Sequence, residues 1–149
     1  FAVAGGTNTP AFLATAANTS YSAGTYTKVA YATEVLDTDS AYDNSSNYRF
    51  QPQTAGWYYI FARVAFNNTS TASRQIGRIT KNGTEIARGD MQLSASYFAS
   101  DNTSMQVDYI IQFNGSSDYV EVQCYSEGSA GTTKNIAGYG CFGGYKLLT

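Results

Sequence analysis

From residue 105 to 113 apolar side chains fall on alternate positions. Met105, Val107, Tyr109, Ile111 and Phe113 form one series, and Gln106, Asp108, Ile110 and Gln112 form the other. A repeat of two is the mark of a β-strand with one buried face. Residues 27–36 follow the same rule, with Val29, Tyr31, Thr33 and Val35 set against Lys28, Ala30, Ala32 and Glu34. Residues 119–125 place Val120, Val122 and Cys124 on one face, and Tyr119, Glu121, Gln123 and Tyr125 on the other. Cys124 is therefore on a buried phase.

Residues 56–66, GWYYIFARVAF, depart from this alternation. Tyr58, Ile60, Ala62, Val64 and Phe66 make one face, and Trp57, Tyr59, Phe61, Arg63 and Ala65 the other. Both faces are apolar, so such a strand needs cover on both sides. A sandwich whose outer face meets a neighbouring subunit satisfies this. A barrel-like centre covered within one chain satisfies it too.

Turn residues separate the strands at short intervals: Asp43-Asn44-Ser45-Ser46-Asn47, Asn67-Asn68-Thr69-Ser70, Asn114-Gly115 and Glu127-Gly128-Ser129. Asn82-Gly83, between Ile79 and Ile86, predicts a two-residue hairpin. No helical period, internal repeat or long linker interrupts the series. The pattern predicts an all-β sandwich, jelly roll or barrel. Residues 1–9 read as a flexible lead-in, and residues 10–149 as one domain.

Composition narrows the function. At 149 residues the chain is the size of one domain. Charged residues are only 13%, while Thr, Ser and Asn supply 42 positions, so the surface is polar but largely uncharged. The sequence has no His, which excludes His-based triads and His metal sites. A net charge of -2 and a pI near 4.9 argue against a nucleic-acid partner. No stretch approaches the ~18 apolar residues of a membrane-spanning helix, so membrane insertion is not expected. Aromatic residues at 15% argue against disorder. Cys124 and Cys141 make one disulfide or none, and without His they cannot complete a zinc site.

Candidate chemistry is sparse. Asp37, Asp39 and Asp43 are the one close carboxylate cluster. With neighbouring Asn and Ser oxygens they form a candidate Ca²⁺ site, although the EF-hand glycine and closing glutamate are missing. The plain alternative is a solvated Asp-rich turn. Glu34, Glu85, Glu121 and Glu127 are scattered, and nothing pairs them for glycoside hydrolysis. Sequons such as Asn44-Ser45-Ser46 and Asn102-Thr103-Ser104 follow from composition and matter only in a eukaryotic secretory pathway. Binding suits this surface better. Loops 37–47, 67–73, 99–103 and 126–136 are the candidate contact segments. Tyr42, Asn44, Tyr97 and Tyr125 are the candidate receptor or ligand contacts, with the tyrosines able to stack on a sugar.

The order of residues resembles the C1q/TNF-like jelly-roll family. Pro10-Ala11-Phe12 stands where that family has its first strand motif. Tyr42-Asp43, Tyr48-Arg49-Phe50-Gln51-Pro52 and Gly56-Trp57-Tyr58-Tyr59-Ile60-Phe61 follow its run of Tyr-Asp, Phe, Pro, Gly, Tyr and Phe. Lys81-Asn82-Gly83 is similar to its mid-chain turn, and Phe142-Gly143-Gly144-Tyr145-Lys146-Leu147 to its closing strand. The resemblance covers about residues 10–148. It implies a ten-stranded, two-sheet jelly-roll sandwich that assembles as a homotrimer. It also implies a last strand, 138–148, beside the first, and a subunit contact that takes in Trp57, Tyr59, Phe61 and Tyr145. Some members bind calcium.

The Asn/Ser/Thr-rich loops, and the absence of a collagen-like stretch, are most similar to C1q-like domains of bacteriophage structural proteins. The charge-poor surface and the Gly/Thr segment near 128–133 depart from animal C1q domains. The expected function is thus a non-enzymatic trimeric attachment module on a virion surface, in a fibre or capsid projection. Its partners would be its own copies, other virion proteins and a host-surface glycan or protein. The alternatives are a purely structural trimerisation cap of a viral fibre and a secreted, extracellular C1q-like lectin or ligand.

Overall fold

The computed structural model of the protein describes residues 6–15, 19–67, 71–93, 103–133 and 139–148. These residues form thirteen β-strands and no helix. The strands are β1 (Ala11–Thr15), β2 (Ser20–Tyr21), β3 (Thr27–Lys28), β4 (Thr33–Asp37), β5 (Tyr42–Asp43), β6 (Arg49–Phe50) and β7 (Gly56–Phe66). Then come β8 (Arg74–Lys81), β9 (Thr84–Gln92), β10 (Thr103–Phe113), β11 (Val120–Glu127), β12 (Gly131–Thr132) and β13 (Cys141–Lys146). The count exceeds the expected ten because five of these elements are two-residue pairs.

Two antiparallel sheets face one another. One has five strands in the order β10-β7-β13-β1-β4. The other has six: β5-β6-β11-β8-β9 with β3 paired to β11. A small ribbon joins β2 to β12. Chain-distant strands are neighbours in both sheets, which is the jelly-roll arrangement. The closing strand β13 lies between β1 and β7, as expected.

Aromatic side chains lock the sheets together. Phe12 of β1 stacks on Phe50 of β6 with ring centroids 4.2 Å apart, and on Tyr42 of β5 at 5.1 Å. It meets Phe142 of β13 edge-on at 4.8 Å. Full burial of each such ring contributes about 1.5–3 kcal/mol. Tyr58, Ile60, Ala62, Val64 and Phe66 are all buried on the inner side of β7. Val120, Val122 and Cys124 face them from β11, on the phase read from the sequence.

The Asn82-Gly83 hairpin forms as expected. Both residues have positive φ, 50° and 82°, which suits the twist of the strands they join. The strand expected over 27–36 is corrected. Thr27–Lys28 joins the six-stranded sheet and Thr33–Asp37 the five-stranded one. The chain crosses between sheets there, with Val29 and Tyr31 buried in transit and Val35 exposed beside a bulge. Residues 6–9 are exposed, and Asn8 Nδ2 donates to the Lys146 carbonyl.

Candidate functional site

The outer side of the five-stranded sheet gathers exposed apolar side chains, Trp57, Ile110, Tyr145 and Leu36 among them. Strand register sets its rows. Ile110, Tyr59, Tyr145 and Ala11 stand side by side across β10, β7, β13 and β1. The next row holds Asp108, Phe61, Gly143, Leu13 and Leu36. Trp57 lies above them opposite Gln112, and Arg63 below them opposite Gln106 and Cys141. Trp57 is 45% exposed, Tyr145 38% and Ile110 53%. The Tyr59 ring centroid is 5.7 Å from that of Tyr145 and 6.0 Å from that of Phe61. Burial, then the Asp108 carboxylate beside it, raises the Tyr59 pKa.

All four expected contact residues, Trp57, Tyr59, Phe61 and Tyr145, therefore share one face. Among the described residues no strand covers it. Sequence reasoning missed Ile110, Leu13 and Leu36. For Ile110 the signal was present, because it is the one apolar residue on the polar phase of 105–113.

The outer side of the six-stranded sheet has the opposite character. A chain of polar contacts crosses it: Lys28 to Glu121 at 2.6 Å, Gln123 to Glu121 at 3.0 Å, Arg78 to Gln123 at 2.6 Å and Arg78 to Glu85 at 3.0 Å. Arg88 bridges Glu85 and Asp90, and Asp90 also pairs with Arg74. The Arg78 guanidinium lies 3.3 Å from the Tyr26 ring centroid, and Tyr26 in turn packs on Tyr125 at 5.0 Å. Most of the ion pairs among the described residues thus lie on one face.

The expected loop contacts divide. Tyr42 is only 6% exposed, and its hydroxyl donates to the Tyr31 carbonyl, so it is a core residue and is corrected from the contact set. Asn44 is half-buried at the start of the 44–47 turn. Tyr125 is half-buried against Tyr26. Tyr97 lies outside the described residues, as do 68–70, 99–102 and 134–136 of the candidate loops.

The acidic cluster is engaged locally. Asp37 accepts from the Tyr42 and Asp39 amides. Asp43 accepts from the amides of Ser45, Ser46 and Asn47, and from the Ser45 hydroxyl and Asn47 side chain. These bonds, from Ser46 and Ser45 first, hold the Asp43 carboxyl well below the usual carboxylate range. Among the described residues no three acidic or cysteine side chains stand close enough to share a metal ion. Both cysteines are free thiols, with Cys124 buried in the core and Cys141 half-buried on the outer phase of β13.

Two depressions open at the loops. One, of about 280 Å³, is lined by Ser40, Ala41, Tyr42, Asp43, Arg49, Gln51 and Gln53. The other, of about 330 Å³, is lined by Ala55, Lys81, Gln112, Phe113, Asn114 and Asp118. In the second, Lys81 pairs with Asp118 at 2.8 Å and donates to the Gln112 carbonyl at 2.7 Å.

No protein-family model matches the chain, and no curated protein matches it. Solved structures do. Murine APRIL at pH 8.0 superposes over 92% of this chain and 98% of its own, with a TM-score of 0.66 and 15% identity. Murine APRIL at pH 5.0 gives the same coverage and TM-score at 13% identity. Eiger TNF from S. frugiperda matches over 93% of this chain and 92% of its own, with a TM-score of 0.66 and 7% identity. Identities this low speak for the fold alone. The chain folds as a TNF-like jelly roll, the architecture that the order of its residues implies.

Proposed function

We propose that the chain is a non-enzymatic module that trimerises through the outer face of its five-stranded sheet and holds its loops toward a host-surface receptor or glycan. The observation that carries this reading is the apolar face of Trp57, Tyr59, Phe61, Tyr145 and Ile110, which no strand among the described residues covers. Contiguous exposed apolar patches mark interaction sites. A threefold contact is heterologous, so it needs two different complementary surfaces. The flat face supplies one. The outer edge of β10, where consecutive Tyr109 and Ile110 are both exposed, supplies the other. The charged face of the six-stranded sheet suits solvent. Three loop sites on one trimer would gain avidity through effective concentration. The virion setting rests on the resemblance of the sequence to phage C1q-like domains.

Light scattering on the full chain tests the assembly. The expected mass is about three times 16.0 kDa. A Trp57→Ser/Tyr145→Ser variant should fall to one times that mass with its β-sheet circular dichroism intact. A monomeric wild type overturns the reading. Loop substitutions in 37–47 and 126–133 then separate attachment from a structural cap: attachment requires that they abolish cell binding while the trimer persists. A secreted extracellular ligand is the second reading, favoured by the TNF-family neighbours. Binding to an animal cell-surface protein and not to a microbial surface would select it.

A further inference from the structure

Arg49 is a cation placed between two carboxylates that do not pair with it. Across the strands it stands opposite Asp43 on one side and Glu121 on the other. Asp43 is turned to its own turn, where five donors occupy its oxygens. Glu121 is turned to Lys28 and Gln123. Among the described residues no ion pair includes Arg49. Its guanidinium lies instead over the Tyr119 ring, 4.5 Å from the centroid. That contact fixes the planar group and leaves its N–H donors without a carboxylate.

Arg49 lines the depression of about 280 Å³ together with Ser40, Asp43, Gln51 and Gln53. The amide nitrogens of Gln51 and Gln53 both donate to the Ser116 carbonyl, which holds the two side chains in place. Each amide oxygen is an acceptor for a ligand hydroxyl. One residue of this wall, Ser40, is held in left-handed backbone at φ 52°. Non-glycine residues in that region cost of order 1–3 kcal/mol each and gather at binding sites. The volume, about 280 Å³, lies just below the usual range of about 300–1,000 Å³ for ligand pockets, so the site suits a single small ring and not an oligomer.

We propose that this pocket binds a single carboxylate-bearing sugar, with the Arg49 fork on the carboxylate and Gln51, Gln53 and Ser40 on the hydroxyls. A fork matches a carboxylate in bidentate fashion. The ionised Asp43 in the same wall opposes any anion, and opposes a dianion such as a phosphate monoester more than the single charge of a carboxylate. The inference deepens the attachment reading, on which its biological sense rests. The pocket itself belongs to one chain, so its failure is distinguishable from failure of the trimer.

The test is an amide chemical-shift titration of the full chain with D-glucuronate and, separately, with D-glucose, which carries a hydroxymethyl group in place of the carboxylate. Glucuronate should shift residues 40–53 saturably in the millimolar range, with glucose at least tenfold weaker. Arg49→Gln should erase that preference while shifts elsewhere stay put. If Arg49→Gln disturbs the fold, Arg49→Lys, which keeps the charge and loses the fork, should still cost most of the preference. No saturable shift with glucuronate, an equal response to glucose, or a preference that survives loss of Arg49 each overturns the proposal.

Discussion

The ring of Phe61 reaches across Gly143. The two residues are paired between β7 and β13, and a Cβ on Gly143 would sit 2.6 Å from Phe61 Cζ. The same Cβ would stand 3.0 Å from the Phe12 carbonyl oxygen. The absent side chain is what gives the ring its seat. The outer face thereby runs unbroken from Trp57 to Leu13.

Gly143→Ala should therefore move the Phe61 ring and strain β13 against β1. Overpacking of this kind costs about 1–3 kcal/mol. Each kcal/mol lowers the melting temperature by about 2–4 °C in a domain of this size. Gly144→Ala should cost more, because its Cβ would meet the Tyr59 carbonyl oxygen at 2.8 Å and backbone cannot swing aside. Calorimetry ranks the two. Adding Phe61→Leu to Gly143→Ala should recover part of the loss, and a Gly143→Ala variant that melts with the wild type would show that the ring is not confined.

Alkali should unfold the protein in a defined window. Burial pushes the Tyr21 and Tyr58 phenols up to about 12 from 10.0. Burial also raises Tyr31 and Tyr42. The neutral phenol is the form the fold favours, and the Tyr42 and Tyr58 hydroxyls donate to the Tyr31 and Thr54 carbonyls. A raised folded pKa gives stability that is whole below pH 10 and lost as pH climbs through about 12. Tyrosinate absorbance and sheet circular dichroism should change together in that window. Full ionisation of these tyrosines with the dichroism unchanged would contradict the assignment.

The two thiols should differ in reactivity. Cys124 is fully buried, and burial pushes its thiol up to about 12. The thiolate is the reactive form, so Cys124 should resist alkylation in the folded protein. Both cysteines should react in denaturant, and reductant should change neither the mobility nor the melting temperature. Cys124→Ser would bury a hydroxyl among apolar neighbours and should cost about 1–3 kcal/mol. Rapid native labelling at Cys124 would sink this prediction.

Much of the fold was legible because β alternation reports burial directly. Val120, Val122 and Cys124, and the inner series Tyr58 to Phe66, are buried on the phase that their spacing assigns. The two-sided strand 56–66 announced an uncovered face, and the Asn82-Gly83 turn announced its hairpin. Residues 27–36 misled because alternation carries no information about which sheet a strand joins. Tyr42 misled for a different reason: its place in a polar loop suggested exposure, yet Phe12 and Phe142 draw its ring into the core. Arg49 gave no signal, since only the cross-strand register reveals that its two acidic neighbours are committed elsewhere.

Acid should loosen the 43–47 turn. The folded Asp43 pKa lies below its ordinary value of 3.8, so its contribution is present above that pH and is lost as pH falls further. Asp43→Ala leaves the exposed Ser45, Ser46 and Asn47 amides to water and should cost about 0.5–1.5 kcal/mol. Calcium would have to strip those donors from the carboxylate. Calorimetry should show no calcium heat, and saturable heat accompanied by shifts at Ser45–Asn47 would restore the calcium expectation for Asp37, Asp39 and Asp43.

The edge of β10 separates packing within the chain from contact between chains. Ile110 is more than half exposed in the single chain, so Ile110→Lys should change its stability by no more than about 0.5 kcal/mol. In a trimer built through this face the same side chain is covered. Loss of its burial then costs about 1.5–3 kcal/mol per contact, and the lysine adds a charge that must be desolvated. Self-association should weaken by more than tenfold at an unchanged monomer fold. Sedimentation over a concentration series, read beside the melting curve of the monomer, measures both at once. A variant that assembles as the wild type does would move the subunit contact away from β10 and leave the Trp57 face to some other partner.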